Sequence, residues 1–208
     1  MISTVISDLG KVILYFDNHI FFRNLAEYCP YSARAIAARV HGHRDMIRAF
    51  DTGKLDADDF YREVVRKLGA DIGKEAFFRI YCDIFSLNPP VLDLLRRLKA
   101  GYKMILLSNT DVKRFHFIKK KFPEILFFDE YILSYEVGCL KPDPRIYKKA
   151  LQKAEVRAEE SVFIDDLPEN IEGARGAGMN AVLYEPHTDL ASELKKMNVV
   201  IEDGARCG

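Results

Sequence analysis

The chain has 208 residues, 49% of them apolar and 30% charged. That is enough apolar side chain for one large domain, or a medium domain carrying an insertion, and it excludes a disordered chain. Lysine plus arginine equals aspartate plus glutamate at 31 each, so no overall basic charge points to a nucleic-acid partner.

In chain order, residues 2–7 predict a short strand ending at Asp8 and Gly10. Residues 17–87 then hold four or five helical patterns and no convincing strand. The clearest is 55–68, with Phe60, Val64, Val65 and Leu68 on one face, Asp58 and Asp59 in its first turn and Gly69 past its end. From residue 90 helix and strand alternate. Helices are expected over 90–100, 111–121, 143–154 and 168–177, and strands over 103–108, 130–134, 161–164 and 181–184. Pro90 opens the first of these helices and Gly101 stops it, while Pro123 and Gly178 close two others. The fold class is therefore α/β: a doubly wound parallel sheet with helices on both faces, made of residues 1–16 and 89–208, with 17–88 as an inserted α-helical unit.

No apolar run approaches the roughly 20 residues of a bilayer span. The N-terminus lacks a basic stretch followed by an apolar one, so no membrane partner and no secretory leader are expected. Cys29, Cys82, Cys139 and Cys207 lie far apart, without metal or redox spacing. Four reduced thiols in a cytoplasmic protein is the simplest reading.

Ligands of such a sheet bind beyond the carboxyl ends of its strands. The residues there are Asp8, then Ser108 and Asn109, then Asp165 and Asp166. Three converging carboxylates repel unless a cation sits among them, and hard oxygen ligands suit Mg²⁺. The plainer alternative is that Asp165 and Asp166 only cap the next helix. Ser108 and Asn109, just ahead of a helix near Asp111, form either an anion site or an ordinary N-cap. Lys141 lies between Gly138 and Pro144 in a loop stiffened by Pro142, where its charge could neutralise a phosphate instead of waving in solvent.

Four segments carry a resemblance: Ser7-Asp8-Leu9-Gly10-Lys11-Val12, Leu106-Leu107-Ser108-Asn109-Thr110, Lys141-Pro142-Asp143-Pro144, and Phe163-Ile164-Asp165-Asp166-Leu167-Pro168-Glu169-Asn170. In this order and spacing they resemble the haloacid dehalogenase superfamily, in its phosphatase branch with a helical cap after the first strand. The Asp-x-Gly form of the first segment and the Asp-Asp of the fourth are similar to the bacterial α-D-glucose-1-phosphate phosphatase group. The resemblance implies that Asp8 attacks phosphorus and forms an aspartyl-phosphate. It implies Mg²⁺ held by Asp8, the Gly10 carbonyl and Asp166, with Asp165 as a supporting carboxylate. Ser108, Asn109 and Lys141 would hold the phosphate. At ~4 Å and an effective dielectric near ~20, each like-charge pair costs about 4 kcal/mol, so a carboxylate meets a phosphate dianion at a cost of roughly 8.

Two positions depart from the family pattern. Gly10 stands where the second, proton-transferring aspartate usually is, and Ser7 where a bulky apolar residue usually is; the latter reads as a packing change. Substrate-facing candidates are Lys11, Phe16, His19, His41, His43 and Arg44, although His41 and His43 around Gly42 also fit a polar interhelical turn. Phe21, Phe22, Phe77, Phe78, Ile80 and Tyr81 read as packing. The favoured activity is Mg²⁺-dependent hydrolysis of a small phosphorylated metabolite, with a sugar phosphate as the leading candidate. The competing readings are a non-catalytic phosphate-binding module that lost turnover through Gly10, and a metal-independent dehalogenase.

Overall fold

The structure is a computed structural model that describes residues 1–201. Strand β1 (Thr4–Ser7) leads into a tight loop and strand β2 (Leu14–Phe16). Five helices follow: α1 (Asn18–Leu25), α2 (Ala33–His41), α3 (Arg44–Asp51), α4 (Ala57–Leu68) and α5 (Lys74–Cys82). Strand β3 (Phe85–Leu87) returns the chain to helix α6 (Pro89–Leu98), strand β4 (Lys103–Ser108) and helix α7 (Val112–Lys121). Then come β5 (Glu130–Leu133), the single turn α8 (Ser134–Val137), α9 (Pro144–Ala154), β6 (Ser161–Asp165), α10 (Pro168–Gly176), β7 (Asn180–Leu183) and α11 (Leu190–Lys196).

Five strands form one parallel sheet in the order β5-β4-β1-β6-β7. Its strands are buried on both sides, which explains their continuous apolar character. Val5, Met104, Leu106, Val162 and Ile164 enter one core, while Ile6, Ile105, Leu107 and Phe163 enter the other, following the two-residue period of a strand. Ser7 lies level with Leu106 on one side and Ile164 on the other. One residue further, Asp8 is therefore flanked by Leu107 and Asp165 at the carboxyl edge. Since β4 and β6 lead away from β1 in opposite directions, this edge is where a crevice opens in a doubly wound sheet.

Helices α1–α5 bury a separate aromatic cluster that includes Phe21, Phe22, Phe50, Phe60, Phe77 and Tyr81. Phe50 and Phe60 stack with centroids 4.1 Å apart. Burial of each such ring contributes about 1.5–3 kcal/mol. Helix α4 starts two residues later than the expected 55, with Asp56 as its cap accepting from the Asp59 N–H, and ends at Gly69 in the left-handed conformation.

Two expectations change. Residues 17–87 do contain a strand: β3 pairs antiparallel with β2, Leu14 opposite Leu87, where the chain enters and leaves the helical segment. Three-residue strands joined across some seventy residues carry too little local pattern to be read. Ser134 closes no strand but opens α8, because its hydroxyl is used on the loop backbone. It accepts from the Thr110 N–H (2.9 Å) and donates to the Asp51 carbonyl (2.6 Å). That serine ties α3 to the edge of β4. Close by, Gly53 has φ of +69°, and a Cβ there would lie 2.3 Å from the Tyr135 carbonyl oxygen, so only glycine permits this contact.

Among the described residues, no helix is long and apolar enough to cross a membrane, and Cys29, Cys82 and Cys139 are free thiols. Cys207 lies outside the described residues.

Candidate active site

The carboxyl edge of the sheet gathers Asp8 just after β1, Asp165 at the end of β6 and Lys141 from the loop between α8 and α9, which are 7%, 0% and 5% exposed. An ammonium so deeply buried needs partners for every proton. Lys141 Nζ lies 2.7 Å from Asp8 Oδ1 and 2.6 Å from Asp165 Oδ2, and donates to the Leu107 carbonyl at 3.1 Å. The loop that delivers it is clasped by Asn109, whose amide donates to the Lys141 carbonyl (3.1 Å) and accepts from the Lys141 N–H (2.8 Å). The Asn109 side chain is thus committed to aiming the lysine, leaving its backbone for a ligand. Asp165 is equally committed. Its second oxygen accepts from the Leu167 N–H and the Asn170 side chain, both at 2.9 Å.

Asp8, Asp165 and Asp166 offer carboxylate oxygens within 4.8 Å of one another. Burial pushes the Asp8 carboxyl up to about 7; Lys141 opposes that rise and Asp165 adds to it. Burial also works against the Lys141 charge, but Asp8 and Asp165 outweigh it and hold the ammonium above its ordinary value. Half-buried Asp166 is raised as well, by burial and then by Asp165. Three carboxylates face one ammonium, so the cluster carries excess negative charge built of hard oxygen donors, which fits a small divalent cation. Asp165 has both oxygens hydrogen-bonded, which leaves Asp8 and Asp166 as the carboxylates more open to holding it.

Beside the cluster lies a cavity of about 80 Å³, lined by Gly10, Phe16, Asp51, Ser108, Asn109 and Arg114 among others. Ser108 is 3% exposed, and Ser108 and Asn109 lie just before α7, whose first free N–H groups already donate to the buried Asp111 carboxylate, from Lys113 at 2.8 Å and Arg114 at 3.0 Å. Ser7, expected only to change packing, also donates its hydroxyl to the Asp8 carbonyl (2.8 Å). A second cavity of about 340 Å³ continues outward past Phe16, Asp51, Asn109 and Arg114. It is walled by Phe21, Phe22, Val40, Ile47, Phe60, Val64 and Tyr81, with Asn18 and His41 as further polar groups.

The remaining candidates separate on this geometry. Phe16 lines both cavities and covers Gly10: a Cβ on Gly10 would meet the Phe16 ring at 3.0 Å. Lys11, in the left-handed region at φ 60°, donates to the Phe16 carbonyl (2.6 Å) and sits 4.5 Å from its ring, so it supports the phenylalanine and lines neither cavity. His41 lines the outer cavity. His19, His43 and Arg44 are exposed and line neither.

Sequence reasoning missed Asp51, Arg114 and Asn18. Arg114 stacks over Tyr81 (4.3 Å to the centroid) and donates to the Asn18 side chain (3.0 Å), while its Nε has no hydrogen-bond partner. Tyr81 donates to fully buried Asp111 at 2.8 Å. Burial pushes the Asp51 carboxyl up to about 7, Asp111 adds to the rise and Arg114 opposes it. One signal for Asp51 existed: an acid at the C-terminal end of a helix opposes the helix dipole, an arrangement that needs another reason.

The chain is 25% identical to a D-ribitol-5-phosphate phosphatase of Bacteroides thetaiotaomicron, over 93% of this chain and 97% of the relative. It is 31% identical to a sesquiterpene phosphatase of Aspergillus oryzae, over 71% and 76%. Its fold is similar to that of a HAD family enzyme of Bacteroides thetaiotaomicron solved with magnesium and inorganic phosphate. That match has a TM-score of 0.77 at 21% identity and covers 93% of this chain and 99% of the other. A model of the haloacid dehalogenase-like hydrolases matches residues 2–178. With that span taking in all three strand ends that build the site, the chain belongs to the haloacid dehalogenase-like hydrolase family.

Proposed function

We propose that the protein is a Mg²⁺-dependent phosphomonoesterase that passes the phosphoryl group through Asp8. The observation that carries this reading is the Lys141 ammonium bridging Asp8 and Asp165 inside a three-carboxylate cluster, with a cavity lined by the neighbouring Leu9, Gly10 and Ser108 beside it. Asp8 is the nucleophile. Lys141 offsets the repulsion between its carboxylate and a phosphate dianion, and Asp165 keeps the lysine in place. The Ser108 hydroxyl and the Asn109 backbone N–H, in the turn after β4, hold phosphate oxygens. Mg²⁺ held by Asp8, Asp166 and the Gly10 carbonyl would supply further positive charge to those oxygens and keep Asp8 ionised. The phosphatase names of the two relatives and the magnesium and phosphate bound by the structural neighbour support this choice over a dehalogenase or a non-catalytic module. Residues 17–88 act as a cap over a core made of 1–16 and 89–201, excluding water from the site; the end of the expected 89–208 segment lies outside the described residues.

The organic group of the ester stands in the outer cavity. A sugar there would need a partner for each hydroxyl, and Asn18, His41, Asp51, Asn109 and Arg114 are the polar groups lining it. Its aromatic and aliphatic walls favour an alkyl or aryl alcohol over a polyol. Two assays test the reading. Asp8→Asn should abolish Mg²⁺-dependent hydrolysis of an aryl phosphate without unfolding the protein; full activity there, or activity indifferent to chelation, overturns the covalent metal-assisted route. In a series of linear alkyl phosphates kcat/KM should rise about fourfold per added CH₂, the equivalent of ~0.8 kcal/mol each, until the cavity is filled. A flat series, with sugar phosphates preferred, overturns the apolar substrate.

A further inference from the structure

A phosphate ester of an ordinary alcohol leaves as a costly alkoxide unless a proton reaches the bridging oxygen. Position 10 cannot supply one, since it is glycine and the Phe16 ring occupies the space in front of it. Of the residues lining the inner cavity, Asp51 is the one with a carboxyl group, and it stands where the two cavities meet. That is where the ester oxygen lies if the phosphate sits at Ser108 and the organic group in the outer cavity.

Asp51 is mounted rigidly for a residue of the helical segment. Its carbonyl accepts from Ser134, which accepts from the Thr110 N–H two residues after Ser108. The turn that follows is pinned by the Gly53 contact with Tyr135. The charged and titratable groups around it are Asp111 at the N-cap of α7, Arg114 on α7 and Tyr81 on α5. Tyr81 donates to Asp111 and Arg114 to Asn18, and among the described residues no donor is hydrogen-bonded to the Asp51 carboxyl. Burial and Asp111 both favour its protonated form, which is the form a proton donor needs.

We propose that Asp51 is the proton-transferring catalytic residue of this enzyme, giving a proton to the departing alcohol and taking one from the hydrolytic water. In the first step a bond forms between Asp8 Oδ and phosphorus and the phosphorus–ester oxygen bond breaks. The departing oxygen keeps that electron pair and takes the Asp51 proton, leaving Asp51 as carboxylate. In the second step the water oxygen bonds to phosphorus, the phosphorus–Asp8 bond breaks and Asp8 regains its carboxylate. The proton lost by the water returns to Asp51.

This inference rests on the phosphatase reading, and leaving-group dependence separates the two. Wild type and Asp51→Asn are compared on n-hexyl phosphate and p-nitrophenyl phosphate with saturating Mg²⁺, with thermal melting to confirm the fold of the variant. Asp51→Asn should lose about 10²- to 10⁴-fold in kcat/KM on the hexyl ester. Steady turnover of the nitrophenyl ester should also fall, because the second step needs the base. Yet p-nitrophenolate, which needs no proton to leave, should still appear in a rapid burst equal to the enzyme concentration. Equal loss in the bond-breaking step for both esters, or no loss on the hexyl ester, overturns the role of Asp51 while leaving the phosphatase reading standing. A wild type that hydrolyses neither ester overturns both.

Discussion

Replacing Lys141 with methionine, which keeps most of the side-chain volume, tests the electrostatic core of the site. The ammonium lies 2.7 Å from one buried carboxylate and 2.6 Å from another. At an effective dielectric near ~20 each contact is worth roughly 6 kcal/mol before desolvation. Desolvating three charged groups takes back most of that, and removing one partner of such a buried arrangement typically costs about 3–5 kcal/mol. What remains in Lys141→Met is two buried carboxylates with oxygens less than 4.8 Å apart, a repulsion of about 3–4 kcal/mol at the same dielectric. Protonation relieves it. Asp8 already titrates near 7 with the lysine present, so losing Lys141 raises it further. A carboxyl raised in the folded state makes that state bind more protons than the unfolded chain, so stability is kept at low pH and lost as pH rises. Urea unfolding without divalent metal should therefore show a loss of about 3–5 kcal/mol at pH 8 and a much smaller loss at pH 5. An equal loss at both pH values would mean the lysine acts by packing, and a larger loss at pH 5 would refute the reasoning outright.

Three further outcomes follow from the same geometry. Asp166→Asn should weaken Mg²⁺ binding at least tenfold by calorimetry without lowering the melting temperature of the metal-free protein, because it removes a half-buried charge repelled by Asp165; unchanged affinity would take Asp166 out of the ligand set. Gly10→Asp places its Cβ 3.0 Å from the Phe16 ring, so it should cost about 1–3 kcal/mol of stability. Adding Phe16→Ala should remove part of that cost in a double-mutant cycle, and strict additivity would contradict the contact. The Asp51 carboxyl rises from 3.8 to about 7 on folding, so its contribution to stability is present below pH ~4 and lost as pH climbs toward 7. Asp51→Asn should therefore melt higher than wild type at pH 8, by the equivalent of about 2–4 kcal/mol, and at nearly the same temperature at pH 4. A wild-type advantage at pH 8 would mean that the charged form is the one the fold favours.

The parallel sheet was legible because its strands are short, apolar and buried on both faces, and because Pro90, Gly101, Pro123 and Gly178 punctuate the helices between them. Asp8, Ser108 and Asp165 could be placed together because strand ends in such a sheet share one edge. Their detailed division of labour could not be read. That the Asn109 side chain clasps the Lys141 loop, and that Asp165 has no free oxygen, depend on the path of a loop 32 residues away from Asn109 and on Asn170 folding back from α10. The β2–β3 pair escaped notice because its two strands are three residues each. Asp51 and Arg114 look like ordinary helix-surface charges until α3 and α7 meet; only the placement of an acid at the wrong end of its helix hinted otherwise. His43 and Arg44, adjacent in sequence to cavity-lining His41, face solvent instead.

The central claim is that the phosphoryl group rests on Asp8 during turnover. The most direct test mixes the Mg²⁺-loaded enzyme with ³²P-labelled aryl phosphate, quenches in acid within milliseconds and reduces the trapped acyl phosphate with borohydride before peptide mass spectrometry. The account predicts acid-stable, base-labile label approaching one per enzyme and conversion of residue 8 to homoserine. Turnover proceeding with no label on the protein, or with label on any residue other than Asp8, would contradict it.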